Sequence, residues 1–257
     1  MLAAFKHFSH LAVLTDIIFN KKIFMKLQGA KILVTGGSLG IGKETAKQLV
    51  AQGASVVVTG RDKGRIEAAA EEAGAMPMVF DMTYTDQIEE NANKAVELLG
   101  GLDVLVNNAG TGVRRSLEEV TMEDFQLVYT TNVFSVALLT KALIPHFKKQ
   151  NFGNIVNIAS TAALKGYKNG TVYSSSKFAL RGMTQCWQAE LRPHNIRVSL
   201  INPSEVTTAF ANPDRVERAE EANKLDSGQI AHAIVSTLAM EDKGFIPEVT
   251  IWATNPF

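Results

Sequence analysis

Short runs of β-branched and aliphatic residues alternate along most of the chain with longer segments in which hydrophobic residues recur every three or four positions. The short runs, such as Ile-Leu-Val and Val-Val-Val, are nearly continuous, as expected for parallel strands buried on both faces. They predict seven strands, at Lys31–Thr35, Ser55–Thr59, Met76–Phe80, Leu102–Val106, Asn154–Ile158, Arg197–Ile201 and Phe245–Ile251. The longer segments predict helices near residues 41–52, 62–73, 84–99, 121–148, 171–192 and 227–240.

The order of these elements indicates the fold. Strands and helices alternate regularly, and Gly53, Gly74 and Gly100 fall where C-terminal helix caps are expected. We therefore expect an α/β fold, a single doubly wound Rossmann-type domain over residues 28–257 with a central parallel sheet of about seven strands flanked by helices. The long connection Asn202–Asp226 lacks strong periodicity, which predicts either a lid over a site or a surface loop.

Residues 1–27 stand apart from this pattern. The apolar run Leu11–Phe19 is far shorter than the roughly 20 residues that a bilayer crossing needs, and Asp16 interrupts it. Its helix-like spacing and flanking lysines allow a surface helix docked on the body, on a partner subunit or on a membrane. The other interpretation is that Met25 is the natural start and the preceding segment is not native. We do not expect contact with a membrane.

Composition narrows the class of protein. The 257 residues are 46% hydrophobic and 20% charged, which supplies an ample core and excludes wholesale disorder. Basic and acidic residues both number 26, so no net positive charge recruits nucleic acid, and we expect no nucleic-acid partner. A single cysteine, Cys186, excludes an internal disulfide and favours a reducing, cytoplasmic compartment. No Cys/His grouping has zinc spacing, so no metal is expected.

A glycine-rich turn follows the first predicted strand. The segment Thr35-Gly-Gly-Ser-Leu-Gly-Ile-Gly42 opens directly into a helix, whose positive N-terminal end favours an anion. Alone, such a cluster is as often only a tight strand-to-helix turn, but its place after the first strand favours the pyrophosphate of a dinucleotide. The candidate cofactor-binding residues of this turn are Gly36, Ser38, Leu39, Gly40, Ile41 and Gly42.

The end of the second strand bears on which cofactor binds. An acidic residue there would bind the adenosine ribose, but this strand ends in Gly60-Arg61-Asp62. Glycine leaves room, and Arg61 supplies positive charge, for a 2′-phosphate. We therefore favour NADP(H), with NAD(H) as the alternative. Arg61 is otherwise a solvated residue at the start of a helix whose N-cap is Asp62.

Three side chains distant along the chain form the candidate catalytic group. Ser160 follows the fifth strand, at the carboxyl end where open α/β sheets bind ligands. Tyr173 and Lys177 lie one turn apart on the next helix, and an adjacent ammonium lowers the cost of a phenolate. The plainer interpretation is a surface Tyr–Lys pair with a loop serine. Asn132 falls on the apolar stripe of helix 121–148, as a satisfied core amide or as a support for the reactive lysine.

With these residues, the chain resembles the classical short-chain dehydrogenase/reductases over nearly the whole of residues 28–251. The matching pieces follow one another in the family's order and spacing. They are the turn Thr35-Gly-Gly-Ser-Leu-Gly-Ile-Gly42, Asp81 after the third strand, Asn107-Asn-Ala-Gly110, Asn132, Ser160, Tyr173-x3-Lys177 and Asn202-Pro-Ser-Glu-Val-Thr-Thr208.

The resemblance implies a role for each matching residue. Tyr173 would be the general acid/base, and Lys177 would bind the nicotinamide ribose and lower the tyrosine pKa. Ser160 would hold the substrate oxygen, and Asn132 would support a proton relay to Lys177 through water. The implied cofactor contacts are Asp81 and Met82 at the adenine, Asn108, Ala109 and Gly110 along the fourth strand, Pro203, and Val206 and Thr208 at the nicotinamide carboxamide.

The implied activity is hydride transfer between NADP(H) and a carbonyl–secondary alcohol pair, with a small ketone or hydroxy acid as substrate. A 3-oxoacyl-(acyl-carrier-protein)-type reductase is one alternative, and a non-catalytic NAD(P)-binding scaffold or sensor is another. Tyr167 and Phe210 are candidate pocket residues. The resemblance also implies a homodimer or homotetramer.

Three features depart from the family pattern. Leu39 stands where many NADP-dependent members carry a basic residue, and Pro203-Ser204 stands where the family usually has Pro-Gly. The tail lacks the Val-Asp-Gly-Gly-like ending of the fatty-acid ketoreductase type. The first departure weakens the preference for NADP(H) that rests on Arg61.

Overall fold

The computed structural model describes residues 27–210, 212 and 214–256, so all but the last residue of the predicted N-terminal extension lies outside the described residues. Seven strands form one sheet in the order β3-β2-β1-β4-β5-β6-β7, and every neighbouring pair is parallel. The strands are β1 (Lys31–Val34), β2 (Ser55–Gly60), β3 (Met76–Val79), β4 (Val104–Asn107), β5 (Gly153–Ile158), β6 (Ile196–Pro203) and β7 (Glu248–Ile251). The predicted doubly wound parallel sheet is confirmed.

Helices flank the sheet on both sides, close to the predicted positions. They are α1 (Gly40–Ala51), α2 (Lys63–Ala73), α3 (Ile88–Leu99), α4 (Met122–Tyr129), α5 (Ser135–Gln150), α6 (Thr171–Leu191) and α7 (Ser227–Leu238), with short 3-10 helices at Thr85–Gln87, Thr161–Ala163 and Arg192–His194. The last strand begins three residues later than predicted. Pro247, which has no N–H to donate to a ladder, stands immediately before it.

The core lies on both faces of the sheet, as the continuous apolar strands predict. In β1, Ile32 and Val34 belong to the cluster that packs with α1 and α7, while Leu33 belongs to the cluster under α3 and α5. All three side chains are almost fully buried. Because β1 pairs with β2 on one side and β4 on the other, the strand order reverses there, and a crevice opens at the carboxyl ends of the strands.

Local signals fix several helix ends. The Asp62 side chain accepts a hydrogen bond from the backbone N–H of Arg65 at 2.9 Å, so the predicted N-cap of α2 is confirmed. Gly74 and Gly100 end their helices in the left-handed conformation, with φ of 68° and 65°. Gly53, with φ of 84°, follows the C-cap of α1.

The segment predicted as one helix at 121–148 is helical from Met122 to Gln150, but its middle, Thr130–Phe134, is a π-helical turn. Its length and mean hydropathy of 1.5 would suit a membrane span by composition alone. Leu143 and Phe147 are fully buried against the sheet, so much of this apolar character belongs to the core.

A row of buried polar groups crosses the carboxyl ends of the central strands. The Asn107 amide donates to the Thr140 hydroxyl at 3.2 Å and to Asn157 Oδ1 at 2.9 Å. The Asn157 amide donates in turn to the Thr184 hydroxyl at 2.8 Å. These bonds join α5, β4, β5 and α6, so they hold in place the strand ends that carry the candidate site.

Candidate active site

A cavity of about 900 Å³ opens at the carboxyl ends of the strands. It brings together nearly all the predicted site residues, from the glycine turn to the lid segment (residues 204–226). Gly42 and Asn132 are the two predicted residues that do not line it. The members on its wall are Gly36, Ser38, Leu39, Gly40, Ile41, Arg61, Asp81, Met82, Asn108, Ala109, Gly110, Ser160, Tyr173, Lys177, Pro203, Val206 and Thr208.

The glycine turn is packed tightly against the loop that follows β4. Gly36 has a φ of 68°, and a Cβ on it would lie 2.8 Å from the Ala109 Cα. A Cβ on Gly42 would collide with the Gly36 carbonyl oxygen. The Asn108 amide donates to the carbonyls of Thr35 and Gly36, at 2.9 and 3.0 Å. Gly42 therefore allows the close backbone approach inside the turn, although it does not line the cavity. The hydrogen bonds of the Asn108 side chain hold the turn in place.

The N-terminal end of α1 binds a carboxylate from the lid segment. The backbone N–H of Gly40 donates to Glu217 Oε1 at 2.9 Å. An anion at the first turn of a helix is stabilised by free N–H groups and by the helix dipole. The turn is thus built to accept an anionic oxygen, which is the property that a pyrophosphate requires.

Three arginines line the cavity near the end of β2, where the sequence indicated one. Arg61 and Arg65 are joined by Arg215 from the lid segment, and all three are on the cavity wall. Burial, with the charges of Arg61 and Arg65, holds the pKa of Arg215 below its ordinary value. Asp62 pairs with Arg65 at 3.1 Å. Arg215 also has a φ of 56°, which is unusual for a residue with a side chain.

The Asp81 carboxylate is already held by its own turn. Its Oδ1 accepts from the backbone N–H and the hydroxyl of Thr83, at 2.9 and 2.8 Å. Asp81 lines the cavity, as does Met82 beside it. The second carboxylate oxygen therefore keeps its capacity to accept a bond from an adenine amino group.

Ser160 and Tyr173 both line the cavity. Ser160 Oγ accepts from the backbone N–H of Ala162 at 3.1 Å, which fixes the serine at the start of a 3-10 turn. Burial raises the pKa of Tyr173 to about 12, while its hydrogen bond with Ser160 and the charge of Arg114 act in the opposite direction. The resemblance implied a tyrosine pKa lowered by Lys177. In the protein alone the cost of burying a phenolate is larger, and the shift is upward.

Lys177 is 3% exposed, behind the tyrosine ring. Its Nζ donates to the Ile158 carbonyl at 2.9 Å and lies 5.8 Å from the centre of the Tyr173 ring. Burial lowers the pKa of the amine to about 8. The lysine therefore holds a proton close to the phenol at neutral pH and releases it at mildly alkaline pH.

Asn132 is a fully satisfied core amide inside the π-helical turn. Its Oδ1 accepts from the backbone N–H of Thr111 at 2.9 Å, and its Nδ2 donates to the Thr111 carbonyl at 2.8 Å and to the Ser176 hydroxyl at 3.0 Å. It thus fastens the loop after β4 to α6, next to Lys177. The π turn has no counterpart in the hydrophobic periodicity, so sequence reasoning missed it. The water relay stays a prediction.

Aromatic side chains border the catalytic end of the cavity. Phe210 of the lid segment lies against Tyr173, with 5.6 Å between the ring centres. The Arg114 guanidinium lies 5.9 Å from the centre of the Tyr167 ring. Both Tyr167 and Phe210 line the cavity, so the prediction that they are pocket residues is confirmed.

Comparisons with known proteins agree with this arrangement. The family model for short chain dehydrogenases matches residues 30–219. The 3-oxoacyl-(acyl-carrier-protein) reductase of Thermotoga maritima is 35% identical over 189 residues, which are 72% of this chain and 77% of that protein. The alcohol dehydrogenase of the archaeon Thermococcus sibiricus, solved with 5-hydroxy-NADP, is 26% identical with a TM-score of 0.82, over 88% of this chain and 97% of that one.

A second solved structure carries a dinucleotide of the same type. A metagenomic short-chain oxidoreductase in complex with NADP is 29% identical, with a TM-score of 0.76 over 88% of this chain and 98% of that one. The family match, the similarity to these relatives and the parallel seven-stranded sheet lead to one conclusion. The chain belongs to the short-chain dehydrogenase family of oxidoreductases.

Proposed function

We propose that the protein is an NADP(H)-dependent oxidoreductase that interconverts a carbonyl and a secondary alcohol, with Tyr173 as its general acid/base. The observation that carries the proposal is that Ser160 and Tyr173, whose side chains interact, line one cavity with Lys177 and an anion-binding glycine turn. A binding protein without chemistry has no need of a half-buried phenol next to a buried amine, which favours the enzyme over a scaffold or sensor.

The residues present fit a dinucleotide. The turn at Gly36–Gly42 would hold the pyrophosphate, with Asp81 at the adenine and Lys177 at the nicotinamide ribose. The other proposed contacts are Met82, Asn108, Ala109, Gly110, Pro203, Val206 and Thr208. When bound, the nicotinamide supplies or accepts the hydride.

The chain's own residues would manage the proton. With a pKa of about 12, the Tyr173 hydroxyl is protonated at neutral pH and can donate to a carbonyl oxygen. Ser160 would donate a second hydrogen bond to that oxygen. The Lys177 ammonium, 5.8 Å from the ring centre, would stabilise the phenolate that remains. Phe210 lies against the ring of this phenol, with 5.6 Å between the ring centres.

A preference for NADP(H) over NAD(H) is supported by the arginines at the end of β2. Arg61, Arg65 and Arg215 present positive charge where an adenosine 2′-phosphate is expected, and guanidinium groups bind phosphate oxygens in pairs. The two solved relatives described above hold NADP or a derivative of it. Many NADP-dependent members carry a basic residue at the position of Leu39. In this chain the three arginines would supply the positive charge instead.

A homodimer or a homotetramer is supported by an apolar surface on the helix Met122–Gln150 and on α6. Phe134 is 52% exposed there, and Leu127, Leu138 and Phe178 are also exposed. Covering such side chains with a second copy removes apolar area from water.

We place the protein in the cytoplasm, on the ground that its one cysteine is unpaired.

The test is an absorbance assay of reduced-nicotinamide oxidation against a panel of ketones, run with NADPH and with NADH, alongside the Kd of each cofactor. We expect ketone-dependent oxidation and a lower Kd for NADPH. Cofactor binding without oxidation on any ketone would support the scaffold instead. A lower Kd for NADH would overturn the cofactor preference alone.

A further inference from the structure

We infer that the substrate carries an anionic group, a carboxylate or a phosphate, which Arg114 and Lys165 bind at the rim of the cavity. This inference rests on the proposed function, because it concerns the molecule whose carbonyl meets Ser160 and Tyr173. Arg114 and Lys165 would then determine specificity, and the substrate would be an anionic carbonyl compound.

Arg114 and Lys165 lie on neighbouring loops beside the catalytic group. Arg114 follows β4 and Lys165 follows β5, and both line the cavity. The backbone N–H of Arg115 donates to the Asn169 carbonyl at 3.2 Å, which joins the two loops. The Arg114 guanidinium lies over the Tyr167 ring. Both cations are therefore on one rim, on two joined loops, and Ser160 lies on the same loop as Lys165.

The charge on the cavity wall is unbalanced. Seven basic side chains line the cavity, but only three acidic ones do so among the described residues. Each acidic group already has a partner. Asp62 pairs with Arg65 and Asp81 with Thr83, and Glu205 pairs with Arg218 and Lys224 at 3.1 and 3.2 Å.

Arg114 and Lys165 differ from the neighbouring Arg115, which has an acidic partner. Arg115, next in the chain, pairs with Asp124 at 3.0 Å. Within the described part of the chain, no acidic side chain lies within ion-pair distance of Arg114 or Lys165. A guanidinium beside an aromatic ring with no ion-pair partner matches the planar, bidentate geometry of a carboxylate or phosphate.

The wall near the rim is apolar. Val113, Tyr167 and Phe210 line the cavity there, and Phe210 lies against Tyr173. A ketone with an apolar body and an anionic end therefore fits: its carbonyl lies at the hydroxyl pair and its charge at the rim. A free oxo acid and a phosphopantetheinyl thioester both have this chemistry.

The test compares each anionic substrate with its neutral partner, in the presence of NADPH. The pairs are 5-oxohexanoate with its methyl ester, and a 3-oxoacyl-phosphopantetheine with the same thioester of pantetheine. We expect at least a tenfold higher kcat/KM for the anionic member of one pair, and that pair identifies the source of the charge. In the variant Arg114→Gln/Lys165→Gln we expect this preference to fall at least tenfold, because the anionic member loses more kcat/KM than the neutral member.

Lys168→Gln is the matched control, since Lys168 is exposed on the same loop but does not line the cavity. Equal kcat/KM within both pairs, or an equal loss on both members in the double variant, would overturn the inference. Binding of the alcohol 5-hydroxyhexanoate to the protein with NADP+, measured by calorimetry, separates the two proposals. Binding that needs Arg114 and Lys165 without any turnover would contradict the proposed function and leave the anion site in place.

Discussion

The Glu217 carboxylate accepts a hydrogen bond from the backbone N–H of Gly40 at 2.9 Å, across 177 residues of chain. Gly40 begins α1, at the turn where the cofactor pyrophosphate is expected. The lid segment therefore places a carboxylate oxygen where a phosphate oxygen would compete for the same N–H. We therefore expect cofactor binding to break this contact.

Glu217→Gln should tighten NADPH binding. The substitution removes the negative charge that competes with the phosphates and repels them, and we expect the Kd of NADPH to fall by about threefold to tenfold. Fluorescence titration with NADPH measures this directly. Glu220→Gln is the control, because Glu220 is exposed in the same segment and does not line the cavity. A Kd that is unchanged or raised in Glu217→Gln would show that the carboxylate does not compete.

Arg215→Gln should weaken the preference for NADPH over NADH. Arg215 lines the cavity with Arg61 and Arg65, and the variant would lose the proposed charge-assisted bond to a 2′-phosphate. We expect the Kd of NADPH to rise about tenfold and the Kd of NADH to change less than twofold. Lys63→Gln removes a nearby exposed charge as a control. Equal effects on both cofactors would place Arg215 away from the 2′-phosphate.

Gly42→Ala should damage both the turn and the protein. The added Cβ would collide with the Gly36 carbonyl and with the Asn108 amide that braces the turn, and neither can move without disturbing its hydrogen bonds. We expect a loss of about 1–3 kcal/mol in the free energy of unfolding, and no measurable cofactor binding. Gly64→Ala is the control, since a Cβ there meets only an ordinary contact at 3.8 Å. A Gly42→Ala variant as stable as Gly64→Ala would contradict this close packing around Gly42.

Lys177→Met should change stability in a pH-dependent way. The folded-state pKa of about 8 lies below the ordinary 10.5, so the unfolded chain binds more protons between these values. Burial of the ammonium thus costs wild-type stability at pH 7, and this cost fades as pH rises towards 10.5. The stability of Lys177→Met relative to wild type should fall by about 2–3 kcal/mol between pH 7 and pH 10.

Urea unfolding at the two pH values provides the measurement for that comparison. Lys168→Met, at an exposed position, should show no such trend. A relative stability of Lys177→Met that is the same at both pH values would mean that the amine titrates normally in the folded protein.

The parts of the fold that depend on local sequence were predictable. β1 is apolar on both faces because helices cover both faces of the sheet, and the glycines of the turn after it are needed where its backbone meets the loop after β4. Asp62 caps α2 through a bond to the backbone three residues later. Such signals lie within a few residues of the feature that they specify.

The lid contacts were not predictable, because they join residues far apart without periodicity. Nothing near Arg215 or Glu217 in the sequence indicates that they reach Arg61 and Gly40. The direction of the Tyr173 pKa was missed for a similar reason. It depends on burial, to which Phe210 of the lid segment contributes, and sequence spacing reveals only the nearby lysine.

Tyr173→Phe tests the central claim most directly, by stopped-flow measurement of NADPH oxidation with a ketone that the wild type reduces. The variant keeps the ring against Phe210 and loses only the hydroxyl that would donate the proton. We predict an unchanged Kd for NADPH and a hydride-transfer rate lower by about a thousandfold or more. A rate within tenfold of wild type, with the cofactor bound, would contradict the assignment of Tyr173 as the proton donor.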